Sequence, residues 1–166
     1  MLKAEDVIRL LNLKPHPEGG FYRETYRSEV FISQEALPTR YSGPRCCGTA
    51  IYFMLTSGNF SMMHLVKSDE FFHFYLGDPV EMLKLYPDGT GAIVEIGTDL
   101  EKGMLPQVLV EKNVWQGFRL KDGGNYALFG TTVCPGFEFE DFEIADPATI
   151  FAQYPDFKEM IRKLTK

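Results

Sequence analysis

Turn-forming residues punctuate this chain along its whole length. Gly19-Gly20, Gly43-Pro44, Gly58-Asn59, Gly77-Asp78-Pro79, Pro87-Asp88-Gly89 and Lys121-Asp122-Gly123-Gly124 each mark a reversal of direction. The segments between them are rich in Phe, Tyr, Val and Ile, residues that pack well on a pleated surface. Read by period, strands are expected over Phe21 to Ser28, Cys47 to Thr56, Phe60 to Lys67, Glu70 to Leu76 and Val80 to Tyr86. Ala92 to Ile96, Leu105 to Val110, Val114 to Leu120, Asn125 to Val133 and Phe137 to Ala145 continue the series. About ten short strands, with a turn roughly every eight to twelve residues, favour an all-β sandwich or barrel over any βαβ arrangement.

Two helices bracket the strands. Val7, Leu10 and Leu11 recur at helical spacing within Ala4 to Asn12, and Pro15 and Pro17 stop the pattern. Pro155 to Lys166 carries Phe157, Met160, Ile161 and Leu164 on one stripe, and Asp146-Pro147 has the form of a helix N-cap with proline at the first position. The 166 residues suit one domain, 1–166, with one substantial core. A net charge of −6 argues against a nucleic-acid partner, because phosphate binding needs clustered Lys and Arg. No apolar run is long enough to span a bilayer, and acidic residues interrupt the N-terminus where a signal peptide would be apolar. Cys46, Cys47 and Cys134 form no disulfide framework and suit a reducing cytoplasm.

The chemistry is concentrated between Gly58 and Gly77. This stretch holds His64 and His73, with Asp69 and Glu70 between them. Same-parity residues of a strand share a face, so His64 goes with Val66, and Glu70 with Phe72, Phe74 and Leu76. A hairpin at Ser68-Asp69 would bring an imidazole and a carboxylate into one apolar pocket, a metal or acid–base site. The bland alternative is a buried His–Glu hydrogen bond. Glu70 and His73 have opposite parity, so His73 joins the site only if the strand bulges. Phe31 to Pro44 is irregular and reads as a loop over a cavity mouth. His16, between two prolines, reads as a surface or capping residue.

The spacing Gly58-x5-His64-x-Val66-x3-Glu70-x6-Gly77 resembles the first signature of the cupins, with valine at the second histidine. HPEGGFYRETYRS from His16, the segment around His64, VWQGFR and VCPGFEFEDFEIA, in that order, resemble the cupin subfamily known as a domain of unknown function (DUF985, Cupin_5). The resemblance covers roughly Ala4 to Ala145. It implies an all-β cupin jelly-roll barrel, a double-stranded β-helix, and a homodimer. The cupin metal ligands carry over to His64, Val66, Glu70 and Gln116. Valine cannot bind a metal and a glutamine amide is a weak ligand, so the expectation is no firm cofactor, with at most a weakly bound divalent transition metal on His64, Glu70 and Gln116.

Two classes of function follow. In the first, the chain is an isomerase, epimerase or lyase acting on a small polar, sugar-like molecule, with His64 and Glu70 as base and acid. Tyr52 or Tyr75 would supply a proton, Arg23 would hold an anionic group, and His73, Gln116 and Phe118 would complete the ligand-binding set. In the second, the same cavity holds a small molecule in a dimeric module without turnover.

Overall fold

Thirteen strands and three α-helices make up the computed structural model, which describes residues 2–166. Helix α1, Ala4–Leu11, leads into β1 (Lys14–Pro15), β2 (Phe21–Arg27), β3 (Phe31–Ile32), β4 (Arg45–Cys46) and β5 (Thr49–Thr56). Then come β6 (Ser61–Val66), β7 (Asp69–Gly77), β8 (Val80–Leu85), β9 (Gly91–Ile96), β10 (Gln107–Val110), β11 (Trp115–Leu120), β12 (Tyr126–Cys134) and β13 (Phe142–Ile144). Helices α2 (Pro147–Gln153) and α3 (Lys158–Lys163) close the chain. Asp146 caps α2 by accepting from the Thr149 N–H, with Pro147 in the first turn, as expected from the sequence.

The strands form a jelly-roll sandwich. One sheet has the order β1-β2-β5-β12-β7-β10, the other β13-β6-β11-β8-β9, and β3 and β4 make a small ribbon of their own. Between the two large sheets lies a core of alternate side chains. Phe118 of β11 sits at its centre, with Phe53, Phe72 and Phe129 of the opposite sheet edge-on at 5.6, 5.2 and 5.5 Å. Such edge-to-face contacts fix the rings beyond what burial alone does. The outer face of the five-stranded sheet is covered by the C-terminal helices, where Met63, Leu83 and Leu85 meet Ile150, Tyr154, Ile161 and Leu164. Helix α1 covers part of the other outer face, laying Val7 on Met54 and Leu128.

Two expectations about the chain path need correction. Strands β6 and β7 do not pair as a hairpin. β6 pairs with β11 and β13, and β7 pairs with β10 and β12, so the chain crosses from one sheet to the other at Lys67-Ser68. The corner is fixed by outside partners: the Val66 carbonyl accepts from Asn113 N–H, Lys67 N–H donates to the Asp141 carbonyl, and the Tyr41 and Ser68 hydroxyls lie 2.9 Å apart. Nor is Phe137 to Ala145 one strand. A 3-10 turn over Phe139–Asp141 precedes β13. Strict alternation would separate Phe142 from Phe137 and Phe139. The turn instead gathers all three rings within 5.1 to 6.4 Å.

Phe118 is fully buried among three rings. Phe118→Ala should therefore cost roughly 3–5 kcal/mol, read by urea unfolding of parent and variant. A loss below about 1 kcal/mol would show that the two sheets do not depend on this ring.

Candidate functional site

A cavity of about 290 Å³ opens between the sheets near the ends of β2, β6 and β7. Its floor is polar. His64 enters from β6 and Glu70 from β7, each on the interior parity of its strand, so the two sheets present them to each other across the cavity. Gln116 of β11, opposite His64 in the register, donates its amide N–H to Glu70 Oε2 at 2.6 Å. Val66 lies on the wall beside His64.

Two further polar groups come from the loop before β2, and parity gave no sign of them. Glu18 and His16 both line the cavity, with side chains only 8% and 7% exposed. The turn that places them is built from Gly19 and Gly20, at φ +106° and +73°, where other residues are strained. A Cβ on Gly19 would stand 2.1 Å from the Phe60 carbonyl oxygen, so only glycine allows this loop to press against the start of β6. That contact lets Met62 N–H donate to the Glu18 carbonyl and Ser61 Oγ donate to Glu18 Oε1 at 2.7 Å. His16, read from the sequence as a surface residue, stands edge-on to Tyr22 at 4.6 Å. The signal for Glu18 was its place directly before the Gly-Gly turn.

The hydrogen bonds determine the tautomers. His64 Nδ1 lies 2.7 Å from the Met62 carbonyl oxygen, which only accepts, so Nδ1 carries the proton. In the neutral ring Nε2 then bears the lone pair, and it faces Glu18 Oε2 at 3.4 Å. His16 Nδ1 accepts from the Glu18 N–H. Burial lowers the pKa of His64, against the pull of Glu70 and the Met62 carbonyl, and lowers that of His16 to about 4, with His64 adding to the effect. Burial raises Glu18 to about 8 despite the Ser61 hydrogen bond. It raises Glu70 to about 7, where attraction to His64 and the Gln116 bond oppose it and repulsion by Glu18 adds to it. Near neutral pH the floor holds two neutral imidazoles, a protonated Glu18 and a Glu70 poised to titrate.

Aromatic side chains make the walls and mouth: Tyr22, Phe53 and Phe72 from the six-stranded sheet, and Phe137, Phe139 and Phe142 from the closing segment. Phe31 to Pro44 does not cover the mouth, contrary to expectation. Its buried anchor, Tyr41, bonds to the β6–β7 corner instead.

Several residues assigned to the cavity from sequence lie elsewhere. Arg23, Tyr52, Tyr75 and His73 occupy the outer face of the six-stranded sheet, where Arg23, Tyr52, Gly130 and His73 fall in one row of the register. Tyr75 sits at the bulge between Phe74 and Leu76 and covers Gly130. The bulge falls after His73 and so leaves it outside, bonded to Gln107 at 3.1 Å. Arg23 lies over the Tyr52 ring at 5.5 Å and cannot hold an anion inside. Phe118 belongs to the core below the cavity and does not line it.

The donor set does not fit the metal that the fold suggests. Gln116 turns its amide N–H onto Glu70, His64 directs Nε2 toward Glu18, and Val66 offers no donor. Among the described residues no cluster of three or more His, Cys, Asp or Glu side chains converges as a metal site.

Residues 5–145 match the family described as Cupin superfamily (DUF985), Cupin_5. The chain belongs to this family. It is 28% identical over 145 residues to the uncharacterized protein YML079W of Saccharomyces cerevisiae, covering 82% of this chain and 72% of that one. Protein SO0799 from Shewanella oneidensis has a similar structure, with a TM-score of 0.88, 35% identity, and coverage of 100% of this chain and 99% of the other. A hypothetical protein from Leishmania major also gives 0.88, at 30% identity and 99% coverage of both chains. Oxalate decarboxylase of Bacillus subtilis, a protein with Mn(II) centres, is similar in fold alone. At a TM-score of 0.53 and 15% identity, this chain covers 37% of it.

The pKa directions set a pH dependence of stability. From about 4 to 6.5 the folded state binds fewer protons at His16 than the unfolded chain does, which raises stability with pH, as does His64. From 4.5 to about 8 it binds more at Glu18, and to about 7 more at Glu70, which lowers stability. The two effects oppose each other in acid; above pH 6.5 the carboxyls act alone. The melting temperature should therefore fall between pH 6.5 and 8.5, and Glu18→Gln should flatten that fall. A melting temperature that rises over this range in the parent would contradict the assignment.

Proposed function

We propose that the cavity binds a small molecule and moves a proton on it, as in an isomerase, epimerase or lyase. The observation that supports this reading is the pairing of a neutral His64, its tautomer set by Met62, with a protonated Glu18 on the floor of an aromatic cavity. His64 Nε2 is the base, since it bears the lone pair and faces Glu18 on the cavity floor. Glu18 is the acid, holding a proton near neutrality that an exposed carboxyl would have lost. Glu70 carries or returns a second proton, and the Gln116 amide fixes its orientation. The aromatic walls exclude water and strengthen every polar contact made inside. No metal enters any of these steps.

A second reading keeps the cavity but not the reaction: a binding module that holds its ligand through the same groups. A dimer supports either reading. The outer face of the six-stranded sheet leaves Phe71, Tyr75 and Leu76 exposed, the last two beside α1 and its exposed Leu10, an apolar surface that a second copy of this chain would cover. Three free cysteines suit a reducing, cytoplasmic setting.

A metabolite library screened by thermal shift should give ligands that stabilise the parent, and some of these should turn over. In that case His64→Gln and Glu18→Gln should each lower kcat by about 100-fold or more while retaining binding. Hits that bind without turnover would establish the binding module. A library that gives no hit, with the protein folded, would count against both. Sedimentation should show a dimer at micromolar concentration, and a monomer there would remove the proposed subunit interface.

A further inference from the structure

The cavity has an electrostatic bias that its aromatic walls conceal. Four carboxyl groups line it: Glu18 and Glu70 on the floor, Glu24 and Glu138 at the rim. Among the described residues that line it, Arg27 is the only Lys or Arg side chain. Arg27 is fully occupied. Nε and Nη2 donate to the two oxygens of Glu24 at 3.1 and 2.8 Å, Nη2 also donates to the Phe137 carbonyl, and Nη1 donates to Glu138 at 2.7 Å and to Cys46 Sγ. That uses every N–H of the guanidinium. No cationic group is left to receive an anionic ligand, and the two histidines of the floor are neutral.

The floor carboxyls, in contrast, have no cationic partner. Glu18 is met by Ser61 and the two imidazoles, and Glu70 by the Gln116 amide. Buried carboxylates without a cation are costly and keep their protons. Two acceptors beside them also lack partners. Thr131 Oγ1, on a residue 2% exposed, lines the cavity with no hydrogen bond, and Gln116 Oε1, on a residue 1% exposed, has none either. Unpaired buried acceptors next to acidic groups call for a donor. The aromatic rings offer negative faces to a positive charge.

We propose that the cavity binds a small organic cation, an amine in its ammonium form on an aromatic or aliphatic body, with its N–H groups directed at Glu18, Glu70 and Thr131. The proposal rests on the reading that the cavity holds a ligand, and it names the class. The ammonium supplies the one positive charge the floor lacks, so Glu70 ionises as it enters and its proton passes to the buffer, while Glu18 keeps its proton and accepts an N–H through its carbonyl oxygen. Glu24, Glu138 and the clamped Arg27 leave the rim with a net negative charge, which draws the cation in and repels carboxylates and phosphates.

The test uses 2-phenylethylamine, 2-phenylethanol and phenylacetate, three probes of one shape and different charge, on the full chain by calorimetry at pH 7. The amine should bind at least about tenfold more tightly than the alcohol, and phenylacetate should not bind. Heats measured in buffers of different ionisation enthalpy should show protons released with the amine and none with the alcohol. Glu70→Gln should weaken the amine about tenfold or more while leaving the alcohol nearly unchanged. Thr131→Val, which removes a buried unpaired hydroxyl and should melt no lower than the parent, should also weaken the amine selectively. An alcohol that binds as tightly as the amine would overturn the cation while leaving the ligand-binding cavity standing. Tight binding of phenylacetate, or no amine binding at ~10 mM, would overturn the proposal outright. The cavity itself is judged separately by the library screen.

Discussion

Carboxyl groups and imidazoles buried together without a free cation set the terms for this site. Placing Glu18, Glu70, His16 and His64 in one apolar space would be prohibitive if all were charged. Each therefore moves toward its neutral form, and the hydrogen bonds that remain fix where each proton lies. The Met62 carbonyl holds one on His64 Nδ1, and Glu18 retains another opposite the Nε2 lone pair. An acid and a base thus face each other at 3.4 Å. The resemblance to the cupins implies metal ligands at positions 64, 66, 70 and 116. Here valine at position 66 and an amide at 116 remove two of those donors, and the Gly19-Gly20 turn introduces a carboxyl instead.

The sandwich makes this arrangement rigid. His64 and Glu70 are only six positions apart in sequence, yet they belong to different sheets, so the distance between them is set by sheet packing and not by a turn. Phe118 and its three partner rings hold that spacing from below. Gln116 spans the gap, since its backbone lies in one sheet and its side chain reaches Glu70 in the other.

Regular strands were legible in the sequence and loops were not. Alternation put His64 on one face with Val66, and Glu70 on one face with Phe72, as the cavity lining has them. It could not show that β6 and β7 part company, because the interactions that separate them come from Asn113, Asp141 and Tyr41, all distant in sequence. It failed for Phe137 to Ala145 because one 3-10 turn reverses the parity of everything after it. It overlooked Glu18 and His16 because loop residues have no parity, and their inward placement depends on the approach of Gly19 to Phe60. Arg23, Tyr52 and Tyr75 were assigned inward by chemical type alone, without regard to the face each strand presents.

The segment that closes the cavity is held unevenly, and this bears on how a ligand enters. On one side Arg45, 1% exposed, binds both oxygens of Asp141 at 2.6 and 2.8 Å, and its remaining N–H groups bond to Glu140 and to the Gly43 and Pro44 carbonyls. Parting that pair would strand a buried charge, at a cost of roughly 3–5 kcal/mol. On the other side Glu138 is held by Arg27, where both side chains are more than a third exposed. A solvent-exposed pair of that kind contributes only about 0–1 kcal/mol. Arg27 also keeps its bidentate grip on Glu24 if Glu138 leaves, so no charge is left unpaired by the movement. The lower-cost opening is therefore at Glu138, carrying Phe139 outward, while Phe137, bonded to Thr49 Oγ1 and to Arg27, and the Asp141 end stay fixed. A ligand entering there passes Glu24 and Glu138 before it reaches Glu18 and Glu70, so the entrance applies the same charge selection as the floor.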